Sequence, residues 1–296
     1  MHIPVLQKEV IKYLAPKTNE NFIDATVGEG NHSLEIIEKI KPKGRILGID
    51  WDPEVVQNLK QKLKRMGLEE RFIVVCSNFA ELKKIADRYN FQADGILFDL
   101  GFLTWHIEES KRGFSFQKDE DLDMRYNPKE NSLTAQEIVN KFPFQKIVEI
   151  LRKYGEEKFA RRIARKIEQE RKKHPITTTT QLVEIVRKAT PPWYHHRRIH
   201  FATRTFLALR IAVNDEIENL RKALIQVPEI LSLGGRLVVI SFHSLEDRVV
   251  KEFLKDQSKK GIFEILTKKP QTPTPEEVKM NPRCRSAKLR AAKKIK

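Results

Sequence analysis

Between Asn21 and Gly101, short apolar runs rich in β-branched residues alternate with amphipathic stretches of helical length. That alternation is the signature of successive βα units on a parallel sheet. Strands are predicted over 22–26, 45–50, 72–76 and 95–99. The clearest intervening helix spans 53–66, with Pro53 in its first turn, Val55, Val56, Leu59, Leu63 and Met66 on one stripe, and Gly67 where a C-terminal cap belongs. After Gly101 the rhythm breaks. From about His106 to Ile199, helical patterns are separated by polar and proline-containing turns without a convincing strand. One helix steps Phe159, Ile163, Ile167 and leaves a cationic face of Arg161, Arg162, Arg165, Lys166, Arg171 and Lys172. A long helix is predicted from about Thr203 to near Pro228, with Phe206, Leu209, Val213, Ile217, Leu220 and Leu224 on one face. Gly234-Gly235 then turns into a fifth core strand over 236–242, and 263–267 reads as an edge strand. The expected organisation is α/β: a discontinuous sheet domain of 1–105 and 200–296 around an inserted all-helical domain of 106–199.

Composition narrows the picture. A chain of 296 residues that is 40% hydrophobic and 32% charged has ample material for a core, which excludes wholesale disorder and favours a second unit. Lys plus Arg number 56 against 40 Asp plus Glu, a net charge of +16. That excess suits a polyanionic partner if it is gathered in one place, and a solvated surface if it is not. Eight cations and no acid follow Glu277, a basic tail. No apolar run is long enough to span a bilayer, and Met1-His2-Ile3-Pro4 lacks the order of a signal peptide, so a cytoplasmic protein without a membrane partner is expected. Cys76 and Cys284 form neither a disulfide framework nor a zinc cluster, and no metal is expected.

The candidate chemistry lies at the strand ends. Asp24-Ala25-Thr26-Val27-Gly28-Glu29-Gly30 closes the first strand before a helix, where glycines let backbone approach a ligand. Asp50 closes the next strand twenty residues after Gly30, the spacing at which an acid reaches a ribose hydroxyl. The competing reading has Gly28 and Gly30 tightening a turn and Asp50 capping the helix at Pro53. A dinucleotide site would want Gly or Ala where this chain has Ser33. The spacing instead resembles the Asp-x-Gly-x-Gly-x-Gly of S-adenosylmethionine-dependent methyltransferases. Asn78-Phe79 ends the third strand, suited to an adenine or to a helix cap and a core ring. Asp99-Leu100-Gly101 ends the fourth, where a carboxylate is placed for chemistry.

A specific resemblance covers nearly the whole chain. His2-x-Pro4-Val5-Leu6, Asp24-Ala25-Thr26-x-Gly28-x-Gly30-x-His32-Ser33, Asp99-Leu100-Gly101, Arg112-Gly113-Phe114-Ser115-Phe116 and Leu122-Asp123-Met124-Arg125 look like successive signatures of the RsmH (MraW) family. Tyr154-Gly155-Glu156-Glu157, Arg210-Ile211-Ala212-Val213-Asn214, Ser241-Phe242-His243-Ser244-Leu245-Glu246-Asp247-Arg248 and Asn281-Pro282-Arg283-x-Arg285-Ser286-Ala287-Lys288-Leu289-Arg290 continue it in order. The resemblance implies a Rossmann-like class I methyltransferase fold. It also implies methylation of N4 of a cytidine in the decoding centre of 16S rRNA, within the 30S subunit, from S-adenosylmethionine. It places cofactor contacts at Gly30, Asn31, His32, Asp50, Phe79, Asp99 and His106. The usual Gly-Gly-His stands here as Gly30-Asn31-His32, and the usual Val-Ser-Ser-Pro-Gln as Phe102-Leu103-Thr104-Trp105-His106.

On chemical grounds Asp99 is the candidate catalytic residue. A cytosine amine is a poor nucleophile, and a carboxylate accepting its hydrogen bond would orient the lone pair. Related amino-methyltransferases follow this acid with two prolines and an aromatic, where this chain has Leu100-Gly101. His243 is a further substrate-pocket candidate, although Ser244-Leu245-Glu246-Asp247 also reads as a helix cap. Asp119, Asp121, Asp123 and Glu130 mimic a calcium loop but have Met124 where glycine is needed, so a loop or an acid–base network with Arg125 is expected instead. RNA contacts are expected at Arg161, Arg162, Arg165, Arg197, Arg198, Arg285 and Lys288. The segment Trp193-Tyr194-His195-His196-Arg197-Arg198-Ile199-His200 interleaves rings with cations, as RNA contact or a buried junction would. The principal rival function is a non-catalytic RNA-binding assembly factor, with a nicotinamide enzyme third.

Overall fold

The computed structural model describes residues 4–101 and 104–296. His2 of the N-terminal motif and Phe102-Leu103 lie outside the described residues. The chain divides into two compact units, 1–101 with 217–296, and 102–216.

The first unit is built on seven strands: β1 (Phe22–Asp24), β2 (Ile46–Asp50), β3 (Phe72–Cys76), β4 (Ala93–Asp99), β5 (Leu231–Ser241), β6 (Phe263–Ile265) and β7 (Lys288–Lys294). Their order is β3-β2-β1-β4-β5-β7-β6. β1 to β5 are parallel, while β7 runs antiparallel between β5 and β6. Ile46, Leu47, Ile49, Ile96 and Phe98 are fully buried, which explains why the central strands read as continuous apolar runs rather than alternating ones. Strand order reverses between β1 and β4, the switch point at which ligands bind open α/β sheets. This is the expected Rossmann-like arrangement. The helix Pro53–Met66 forms as predicted, with Asp52 capping its start through Glu54 N–H at 2.9 Å and Gly67 left-handed at its end.

Three expectations change. The tail after Glu277 is not a free basic arm, because Leu289, Ala291 and Ala292 are buried and seat β7 in the sheet, while Cys284 packs in the core. The apolar alternation needed for that strand was masked by its lysines and arginines. The predicted helix from Thr203 toward Pro228 is two helices, Thr203–Asn214 and Glu216–Ile230, broken at left-handed Asp215. Asn214 fixes the break by donating to Met124 O at 2.7 Å and accepting from Tyr126 N–H at 2.9 Å. Finally, Thr104, Trp105 and residues 200–216, expected with the sheet, belong with the helical unit, whose core holds Phe206, Leu209 and Val213.

The helical unit packs Ala135–Lys141, Phe144–Lys153, Ala160–Arg171, Thr179–Ala189 and Thr203–Asn214 around Ile138, Ile147, Leu151, Ile163, Ile167, Leu182 and Val186. Among the described residues no helix is long and apolar enough to cross a membrane.

Candidate active site at the strand ends

At the carboxyl end of β1, Asp24 is buried and accepts from Ser33 Oγ at 2.7 Å and Thr26 N–H at 3.2 Å. Burial pushes its carboxyl up to about 6, against the opposing pull of Ser33, His32 and Thr26 N–H. Thr26 in turn accepts from Asp99 N–H at 2.6 Å and ties the end of β1 to the end of β4. His32, in the first turn of the helix Asn31–Lys39, brings Nε2 to 3.5 Å from Asp99 Oδ2. The pair is within ion-pair range but not aligned as a hydrogen bond, so neither ring nitrogen of buried His32 has a hydrogen-bond partner, nor does Asp99 Oδ1. Burial opposes charge on His32, yet Asp99, Asp24 and Glu35 outweigh it and raise the imidazole above its ordinary value. The sheet's switch point therefore holds two acids and an imidazole, with orphaned polar atoms that a polar ligand would satisfy.

The glycine turn is held by Asp50. Its Oδ2 accepts from Gly28 N–H at 3.1 Å and its Oδ1 from Asp52 N–H at 2.9 Å. Asp50 does not cap the helix at Pro53; Asp52 does. Carboxylate oxygens have further lone pairs, so an anchored Asp50 remains able to accept from a diol. Gly30 has φ +79°, and a Cβ there would lie 2.8 Å from Leu59 Cδ1, so close packing on the next helix explains this glycine. Asn78 caps the short turn Phe79–Glu81, and the Phe79 ring meets Phe98 edge-on at 5.9 Å. Gly101 passes against Phe242, whose ring would stand 2.8 Å from an added Cβ.

These residues fit S-adenosylmethionine in chemistry, with acids for a sulfonium and a ribose and orphaned polar atoms beside them. Asp24, Thr26 and Ser33 were not singled out as site residues from sequence. The available signal was a strand-terminal acid followed nine residues later by a serine in the next helix's first turn.

His243 caps the helix Ser244–Lys259, accepting from Glu246 N–H while Glu246 returns to the His243 N–H, so the expected box exists one residue earlier than Ser244. Asp247 is bound to Arg290 at 2.7 Å and Lys288 at 3.3 Å; although burial opposes it, these cations hold its carboxyl below the ordinary value. Lys288 is thus half-buried in an ion pair rather than displayed, whereas Arg285 is exposed.

The remaining candidates lie in the helical unit. His106 is buried among Trp105, Phe114 and Tyr126, with ring centroids at 5.4, 5.0 and 5.1 Å. Asp123 grips Arg125 through both oxygens at 2.8 and 2.6 Å, the expected acid–base network. Arg161, Arg162, Arg165, Arg197 and Arg198 are exposed. Arg171 instead leaves the cationic face to hold Val139 O and Phe142 O. His195 meets Thr190 at 2.9 Å and His200 stacks on Phe116, so these two histidines have separate partners.

The model of the MraW methylase family matches residues 1–295. The chain is 47% identical over 298 residues to the ribosomal RNA small subunit methyltransferase H of Fervidobacterium nodosum, covering 99% of this chain and 97% of that protein. It is 42% identical over 311 residues to the protein of the same name from Heliobacterium mobile, covering 99% of each. A solved chain from Clostridium thermocellum, 16% identical with full coverage of both and a TM-score of 0.50, shares the fold.

Proposed function

The chain belongs to the MraW methylase family, S-adenosylmethionine is its methyl donor, and from that premise we propose that it methylates N4 of a cytidine in the decoding centre of 16S rRNA on assembled 30S subunits. The observation that carries the reading is Asp99 at the end of β4, beside buried His32 and tied to the β1 turn through Thr26. S-adenosylmethionine supplies an electrophilic methyl on sulfur. Asp50, fixed by Gly28 and Asp52, accepts from the ribose. Asp99 would accept a hydrogen bond from the cytidine amine, direct its lone pair, and stabilise the positive charge that develops on nitrogen as the new C–N bond replaces the S–CH3 bond; S-adenosylhomocysteine would leave and the nitrogen would shed one proton to solvent. His32, whose Nε2 is 3.5 Å from Asp99 Oδ2, attracts that carboxylate electrostatically. The target base must leave its stack to be reached, a task for the cationic helical unit.

Mass mapping of methyl groups on 16S rRNA from a strain lacking the protein, before and after complementation, tests the reaction. A cytidine N4 methyl that is unchanged by deletion refutes it. Purified 30S subunits should be methylated much faster than naked 16S rRNA or a hairpin, and equal rates would show that local sequence suffices. Asp50→Ala should weaken S-adenosylmethionine binding by roughly 1–3 kcal/mol by calorimetry, the loss of charge-assisted hydrogen bonds. Tight RNA binding without cofactor binding would favour a non-catalytic assembly factor.

A further inference from the structure

On several helices exposed cations pair with acids one turn away: Lys83 with Asp87, Lys141 with Glu137, Arg187 with Glu184, Lys260 with Asp256. On the helix Ala160–Arg171, Lys166 pairs with Glu170 in this way but three arginines do not. Arg161, Arg162 and Arg165 have no acidic partner among the described residues, and Arg161 and Arg165 stand at i,i+4, where like charges repel. They line a cleft of about 450 Å³ with Lys166 and Gln169 and, from the helix Thr179–Ala189, Lys188 and Ala189. No acid lines it. Lys166 and Lys188 each reach a carboxylate, Glu170 and Glu184, that they share with Lys173 and Arg187, whereas the three arginines reach none, so the cleft carries a net positive charge.

The cleft continues into an aromatic row. Arg162 lies over the Phe159 ring at 5.6 Å, Phe159 meets Trp193 edge-on at 5.9 Å, and Arg197 lies 5.8 Å from the Trp193 centroid. Trp193 is 58% exposed, while its neighbour Tyr194 is buried and donates to Glu157 at 3.0 Å. The segment is therefore anchored through Tyr194 and displays Trp193. An exposed indole beside the Arg197 guanidinium, linked through Phe159 to a cleft of unpaired arginines, offers stacking and phosphate binding side by side. An acidic peptide would use the cations and leave the indole idle; a duplex would offer phosphates but no free base face.

We propose that this surface binds a single-stranded segment of RNA, with an unpaired base stacked on Trp193 and adjacent phosphates held by Arg161, Arg162 and Arg165. The proposal deepens the rRNA-methyltransferase reading and rests on RNA being the substrate. The test is fluorescence anisotropy of the full chain with a labelled single-stranded RNA of about a dozen nucleotides, across a salt series. Trp193→Ala should weaken binding by roughly 5- to 150-fold without altering the salt slope, and Trp193→Phe should recover most of it. Arg161→Gln with Arg165→Gln should lower the slope of log K against log salt by about 1.4, two phosphates at ~0.7 each. Wild-type affinity in Trp193→Ala, an unchanged slope in the arginine pair, equal binding of duplex RNA, or poly-glutamate binding as tight as the single strand would each overturn the surface. Methyl transfer to rRNA by the wild-type enzyme is scored separately. Its absence defeats the reaction, whereas its presence with unaffected variants defeats only the platform.

Discussion

The two units handle charge in opposite ways. In the sheet-bearing unit the decisive charges are acids drawn inside, Asp24 buried and Asp99 beside buried His32, where low dielectric makes each contact strong and each orphaned atom costly. In the helical unit the decisive charges are cations displayed outside on a packed apolar core, where water and salt weaken any single contact and only numbers count. Placement by desolvation suits chemistry, which needs a few groups held rigidly. Placement at the surface suits affinity for a polyanion, which needs many groups that release counterions. The division teaches that rate and RNA binding should be separable by mutation.

The sharpest way to break that division is Asp99→Ala. Removing one preorganised electrostatic contact costs on the order of 10²–10³ in rate, about 3–4 kcal/mol. Single-turnover methyl transfer should fall by that factor while RNA affinity stays within about twofold, because the bond matters chiefly in the transition state. Transfer near the wild-type rate would make Asp99 structural, and a parallel loss of RNA affinity would dissolve the separation.

A smaller effect probes desolvation itself. Asp24 titrates at about 6 in the folded chain against an ordinary 3.8. A raised folded value means that its contribution to stability is fully present below the unfolded value and is lost as pH rises through the folded one. His32, also raised, has the same sign: its stabilisation is present below 6.5 and lost as pH rises through its folded value. The cofactor-free chain should therefore lose stability between about pH 4 and 6 by on the order of 2–3 kcal/mol through Asp24. Asp24→Asn keeps an acceptor for Ser33 and removes that titration. Urea midpoints of the variant should be flatter across this window and higher than wild type near neutrality; parallel curves would show that Asp24 is not held protonated by its surroundings.

What the sequence made legible follows the same division. The parallel strands and the Pro53–Met66 helix were readable because burial on both faces and cap chemistry leave local marks. The positions of Asp50 and Asp99 at strand ends were readable because chain order fixes them, whereas His32, in the helix that follows β1, came only from the family resemblance. The mutual arrangement was not: nothing local announces that Thr26 accepts from Asp99 N–H, or that Asp50 spends lone pairs on Gly28 and Asp52. β7 hid beneath its own charge, since Lys288 and Arg290 belong to an ion cluster with Asp247 forty residues away. The break at Asp215 was invisible because the apolar stripe runs straight through it, and only Asn214's bonds to residues about ninety positions earlier impose it. Trp193 and Arg162 are connected through Phe159, a link between two helices more than thirty positions apart that no sequence window spans.

The smallest expected effect is the one that best distinguishes a surface kept for binding from a merely solvated face. Arg161 lies in the first turn of the helix Ala160–Arg171, which has no side-chain cap and no acid in that turn. Cations are disfavoured there by the helix dipole, by roughly 0.3–1 kcal/mol, and the Arg161–Arg165 repulsion adds about 0.2–0.5 kcal/mol. Arg161→Glu at the least removes both penalties, since an acid suits the first turn and a Glu four residues before an Arg is the favourable orientation. The variant should thus be more stable than wild type by roughly 0.5–1.5 kcal/mol in urea unfolding of the helical unit. Its single-strand RNA affinity should fall and its salt slope flatten by about 0.7, one phosphate contact. Stability and binding moving in opposite directions is what a surface shaped for a polyanion requires. If Arg161→Glu is neutral in both measurements, the helix is an ordinary exposed face; if it loses stability, Arg161 has a folding role and its charge was never in conflict with the helix that bears it.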